Sequence, residues 1–283
     1  MDTSTDELDA WPARVSDAAE GTVLAALTCG ARRAGRAGGL LAAAEAAALL
    51  GSRSARLLPG EAAVTAVVVD TVLPRLLGAA AGEQAAELGD ADLLIDQFPV
   101  LVHAFAAETA DLDAVAEAAR PGRSLPVGEG RALLGRPTRA GCSVVQALPA
   151  AVRQLALLGA PAAVRERAGA VLAAGDELHR RMADVRTIGE PVARVLAEAY
   201  GLLYAAAACL HLWVAHAAAA AGRPLWTGAG WLRAALGELA DRLHALLGES
   251  GPAGCPGDPE RSVAYGASLA AAALTGGPLT PFG

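Results

Sequence analysis

The chain has no lysine, so all 23 of its basic residues other than histidine are arginine. Together with the heavy use of alanine, glycine and proline, this points to codon bias from a G+C-rich genome, a matter of ancestry rather than chemistry. Aromatic residues make up 4% of the 283 residues and β-branched residues are sparse, while alanine is about a quarter of the chain. That mixture excludes a sheet-rich fold and favours helix throughout. The four cysteines, Cys29, Cys142, Cys209 and Cys255, lie far apart with no CxxC pair, which excludes a zinc ribbon and a disulfide framework. Excess positive charge is missing too. A formal net charge of -7 and a pI near 5.3 argue against a nucleic-acid partner, which needs a clustered basic surface. The opening "MDTSTDELDA" is acidic and polar, unlike a signal peptide, and the protein is expected to be cytoplasmic.

What the chain does have is apolar helix. The stretch "YGLLYAAAACLHLWVAHAAAAAG", Tyr200 to Gly222, is long enough to span a bilayer. Much of it is alanine, which contributes little to insertion, and His211 and His216 would have to enter hydrocarbon. A buried central bundle helix is the preferred reading, with no membrane span.

Helical pattern runs from Thr22 to Leu50, with a weak point at Gly35, Gly38 and Gly39 and a stop at Gly51. The next stretch, "GSRSARLLPGEAAVTAVVVDTVLP", reads as a loop with an arginine pair leading into a helix that starts at Pro59-Gly60-Glu61 and kinks at Pro74. Its apolar face is Val64, Val67, Val68, Leu73 and Leu76. Another helix is expected from about Asp92 to Ala107. The segment "RPGRSLPVGEGRALLGRPTRAG", Arg120 to Gly141, is rich in proline, glycine and arginine without periodicity and reads as a linker. Helices resume in "SVVQALPAAVRQLALLG", in "PAAVRERAGAVLAAGDELHRRMADV", from Pro191 to Ala221 and from Gly230 to Leu247, with one last short helix in "VAYGASLAAAALTGG". The expectation is an all-α protein of two helical units, 1–118 and 142–283, joined by a linker over 119–141.

Several residue groups invite a functional reading. Asp176 with His179, and Asp241 with His244, are Asp-x-x-His pairs whose spacing puts both side chains on one helical face; Glu45 and Glu198 could complete a di-iron set. Asp is short for that role and Arg180 and Arg181 follow His179, so salt-bridged, solvated surface residues are expected instead, and no metal site is assigned. His211 and His216 fall on different helix faces and read as packed, hydrogen-bonded core histidines. Trp213, Trp226 and Trp231 read as anchors of the second unit. Gly128, Gly130 and Gly135 lack a preceding strand, so no dinucleotide fingerprint is supported. Arg120, Arg123, Arg131, Arg136 and Arg139, against Glu129, could receive a CoA diphosphate or an acidic carrier protein, although a solvated connector is the commoner meaning of such a stretch.

Taken in order, "RSARLLPGEAAVTAVVVDTVLPRLLGAAAGE", "LLIDQFPVLV", "GCSVVQALPAAV", "AAGDELHRRMADV", "YAAAACLHLWVAH" and "LWTGAGWLRAALGELADRL" resemble the C-terminal helical portion of the acyl-CoA dehydrogenase/oxidase-like flavoprotein family, actinobacterial type. The likeness runs from about Leu40 to Leu247 and implies a truncated C-terminal four-helix bundle followed by a second helical domain. The family's flavin-holding helical and β-domains are missing before Leu40. "CGARRAGRAGG" is similar to the stretch with which such bundles touch the flavin diphosphate of a neighbouring subunit, which gives Arg32, Arg33 and Arg36 as the implied cofactor contacts. Between Asp90 and Gln97 the chain lacks the helix and loop that carry the family's catalytic base. Asp90, Asp92 and Asp96 stand nearby, but read as solubilising residues, and no catalytic residue is assigned. The resemblance implies a helical subunit acting with a flavin-bearing partner on an acyl thioester, with FAD reached only through that partner. The partner would be a flavin-domain chain of the same kind or a second copy, and acyl-CoA or an acyl-carrier protein the further ligand. The alternatives are a non-catalytic interaction module that kept the fold and, further off, a metal-dependent bundle enzyme.

Overall fold

The computed structural model describes residues 31–58, 64, 75–76, 102, 110–120, 142–183, 190–220, 222–223 and 226–248. These residues are 86% helical, with no strand among them, and form an all-α fold. The elements in chain order are α1 (Ala31–Leu57), α2 (Leu112–Ala119), α3 (Ser143–Gln146), α4 (Leu148–Leu157), α5 (Ala162–Ala183), α6 (Glu190–His216), a short 3-10 turn (Thr227–Ala229) and α7 (Gly230–Leu247).

Helix α6 is the axis of the core. Every residue from Ala199 to Trp213 is buried. The helix is apolar and long enough to cross a bilayer, yet 89% of its most apolar window is buried inside the protein. An alanine-rich helix can be surrounded this way because its small side chains let neighbours approach from several directions at once. Helix α7 packs against α6, α1 and α5; α1 lies on both α7 and α6; α4 bridges α6 and α5; and α2 closes the open side of α1 and α6. The helix assigned by sequence to the unit 1–118 therefore shares its core with helices assigned to 142–283, and Leu40, Leu41 and Leu50 belong to the same buried cluster as Leu210, Trp231 and Leu236.

Local chemistry sets the helix ends. Asp111 caps α2, its Oδ1 accepting from the Ala114 N–H at 2.9 Å, and Asp113 adds negative charge to the first turn. Gly248, at φ 63°, turns the chain out of α7 in the left-handed conformation that favours glycine, and its N–H bonds the Ala245 carbonyl at 3.2 Å. At the end of α1 the outcome differs from the sequence expectation. Gly51 does not stop the helix, which continues to Leu57. Gly51 is buried, and Ser54 turns its hydroxyl back to donate to the Leu50 carbonyl at 2.6 Å, so packing overrides the usual stop signal. The arginine pair Arg53 and Arg56 thus sits on a helix and not in a loop. The expected linker beyond Arg120, the Pro59 helix beyond Val64, Arg75 and Leu76, and the short helix near the carboxyl end lie outside the described residues.

Glycine at position 39 is a packing requirement. A Cβ there would come to 2.9 Å from both the carbonyl carbon and the oxygen of Ala234 on α7, a backbone contact that no rotamer change relieves. Gly169, on α5, has nothing within 4 Å of the same position. Replacing each by alanine separates two effects: alanine gains about 1 kcal/mol of helix propensity at either site, whereas overpacking at position 39 costs about 1–3 kcal/mol and forces α1 off α7. Denaturant titration is expected to show Gly169→Ala at or above wild-type stability and Gly39→Ala below it.

Candidate functional site

Among the described residues, the candidate polar side chains do not converge. The backbone of 31–38 forms the start of α1, but the side chains of Arg32, Arg33 and Arg36 lie outside the described residues, as do Asp90, Asp92 and Asp96, so the implied flavin contact rests on the resemblance. Asp176 and His179 are both exposed on α5. Asp241 is exposed and pairs with Arg167 at 3.3 Å, but His244 is buried, which corrects the expectation that both Asp-x-x-His pairs are solvated. The reason is helical phase: Leu243 and Leu247 turn the His244 side of α7 toward the core, and Asp241 sits at the margin. Glu198 pairs with Arg75 at 2.7 Å, a cation beyond the expected set. Among the described residues no group of three or more His, Cys, Asp and Glu side chains is placed to hold a metal ion.

The two histidines of α6 each bind a backbone carbonyl, on different neighbours. His211 is buried and its Nε2 lies 2.9 Å from the Val144 carbonyl oxygen on α3, which assigns the Nε2–H tautomer as donor. Burial pushes the His211 pKa down to about 4, the hydrogen bond to Val144 opposing only in part. A neutral imidazole of this kind is a structural donor, as expected from the sequence. Burial also pushes the Cys209 thiol up, away from the thiolate that nucleophilic chemistry needs.

His216 stands at the last residue of α6 and is half-buried. Its Nε2 lies 2.9 Å from the Ala119 carbonyl oxygen, and its ring stacks on Trp226 with centroids 5.5 Å apart and planes within 10°. Trp226 in turn meets Trp231 edge to face at 5.3 Å. Trp213, Trp226 and Trp231 are all buried, as the sequence implied. The same corner receives Arg53 from α1, whose Nε donates to the Ala118 carbonyl at 2.5 Å and whose Nη2 donates to the Arg120 carbonyl at 2.7 Å. The carbonyls of Ala118, Ala119 and Arg120, left over at the end of α2, thus accept hydrogen bonds from side chains of two other helices. Polar side chains from α1 and α6 meet at the end of α2. The parts of this corner were individually visible in the sequence, but α2 was not picked out there, although Asp111 followed by Asp113 is an N-terminal helix signal.

Compared with protein-family models, curated proteins and solved structures, the chain matches none.

Acid sensitivity follows from His211. Its folded-state pKa lies below the ordinary histidine value near 6.5, so between about pH 6.5 and 4 the unfolded chain binds more protons than the folded one. The stabilisation is present above that window and lost as pH falls through it, by up to about 3 kcal/mol. In His211→Gln, a non-titrating replacement, stability measured by urea unfolding is expected to be lower at pH 7 but to fall less steeply between pH 6.5 and 4.5 than in the wild type. Parallel slopes in the two proteins would refute this assignment.

Proposed function

We propose that the chain is a helical subunit of an acyl-CoA dehydrogenase-like oxidoreductase, working with a flavin-bearing partner on an acyl thioester. The ordered resemblance over Leu40 to Leu247 and the all-α architecture support this reading. The observation that carries it is where the reactive side chains end. His211, His216 and Arg53 are bound to carbonyls of their own chain, and the Glu198 carboxylate is held by Arg75. Proton abstraction next to a thioester needs a carboxylate free to reach the substrate, and hydride transfer needs a flavin on the opposite face. In this reading both come from the partner, and the chain contributes shape and stability. A second reading, an interaction module without a reaction, draws on the same ties, because side chains committed to the fold serve a scaffold equally well. The Asp241–His244 pair takes no part, since Asp241 is engaged with Arg167 and His244 faces the core.

The test is reconstitution. Purified alone, the chain is expected to be colourless and free of FAD; co-expressed with the flavin-domain chain, it should copurify with that chain and raise the rate of flavin bleaching by acyl thioester. Stoichiometric flavin absorbance in the isolated protein would overturn the partner proposal. A stable complex with unchanged bleaching would favour the scaffold reading.

A further inference from the structure

Helix α2 is held at both ends by residues far away in sequence. At its start the Asp111 N–H donates to the Ser143 hydroxyl at 3.1 Å. At its end sit Arg53 and His216, on the carbonyls of Ala118, Ala119 and Arg120. The two anchors differ in kind. Arg53 carries a permanent charge, and the His216 ring can gain one.

We propose that Arg53 and His216 form a proton-operated latch on the carboxyl end of α2, closed while the imidazole is neutral and loosened when the imidazole takes up a proton. A helix C-terminus is equivalent to about half a negative charge, and the Arg53 guanidinium already exceeds it. A second full positive charge on the neighbouring carbonyl therefore finds no net negative partner. The surrounding charges reinforce this. From α1 the facing group is Arg53, and from the segment after α6 it is Arg223; both oppose protonation of the ring. From α2 itself come Glu117 and Arg120, whose side chains pair with each other at 2.8 Å, so the Glu117 carboxylate is already engaged by a cation. Trp226 covers a face of the ring and limits its access to water. Burial is the largest cause holding the His216 pKa below its ordinary value, with Arg223 and Arg53 adding to it and the bond to Ala119 opposing. Because the closed state disfavours the proton, closure is fully present above the ordinary histidine range and is lost as pH falls below it.

The latch sits at a meaningful place in the chain. Arg120, whose carbonyl Arg53 holds, is the first arginine of the Pro/Gly/Arg-rich stretch that ends near Arg139. This device does not depend on the identity of any partner.

Hydrogen exchange on the full chain tests it, with rates corrected for the chemical effect of pH and referred to α7. In the wild type, exchange at 112–120 is expected to accelerate about tenfold relative to α7 between pH 7 and pH 5, following the protonation of one group. His216→Gln keeps a neutral donor for the Ala119 carbonyl at every pH, and its exchange ratio is expected to stay flat. A flat wild-type ratio, or an unchanged acceleration in His216→Gln, would overturn the latch. Should His216→Gln fail to fold, the wild type decides: the midpoint of the His216 ring titration by NMR must coincide with the midpoint of α2 opening, and a separation of the two overturns it.

Discussion

The distance between α1 and α7 is the constraint on which the rest of the structure depends. Gly39 lets the backbone of α1 reach that of Ala234, and the row of small side chains that follows, Ala42, Ala43, Ala44, Ala46 and Ala47, stays fully inside. With α1 and α7 this close, the two helices also enclose α6. Larger side chains punctuate the core at a few positions, Trp231, Tyr200 and Tyr204 among them. In such a core little can be enlarged without moving a backbone, because the usual relief of an alternative rotamer does not exist for alanine or glycine.

Around this tight centre the polar groups act as ties between elements that have little apolar surface of their own. Helix α3 is only 4 residues long and α2 only 8, too short to be stable in isolation. Each is fastened to α6 by a histidine on a backbone carbonyl, His211 to Val144 and His216 to Ala119. A buried imidazole used as a neutral donor satisfies a carbonyl that would otherwise be dehydrated, and this explains why two histidines occur in so apolar a helix. The same ties have a chemical side: His211, His216 and Arg53, side chains that could have acted on a substrate, are engaged with carbonyls of the fold.

Much of the helical plan was legible in the sequence. The expected span Gly230 to Leu247 coincides with α7, and the stretch from Tyr200, read as a buried central helix, is one as far as His216. Composition and apolar periodicity suffice for that, since they report directly on which face is covered. The errors have one origin, the effect of distant contacts. Gly51 ends no helix because the core encloses it, and His244 is buried because α7 turns that side inward. The corner at the end of α2 was not legible at all. Arg53 and Ala118 are 65 residues apart and His216 and Ala119 are 97 apart, and no local pattern announces such a meeting.

The alanine-rich core also shapes how the protein responds to temperature. An alanine side chain has no rotamers to lose on burial, so ordering the segment Ala205 to Ala208 inside α6 costs no side-chain conformational entropy. Each of those residues also removes little apolar surface from water, and the heat-capacity change of unfolding scales with that surface. A core built in this way has a shallow dependence of folding free energy on temperature, with both the driving force and its opposing entropy reduced together. The same choice of residue that fixes the spacing of the helices therefore also flattens the temperature dependence of their association.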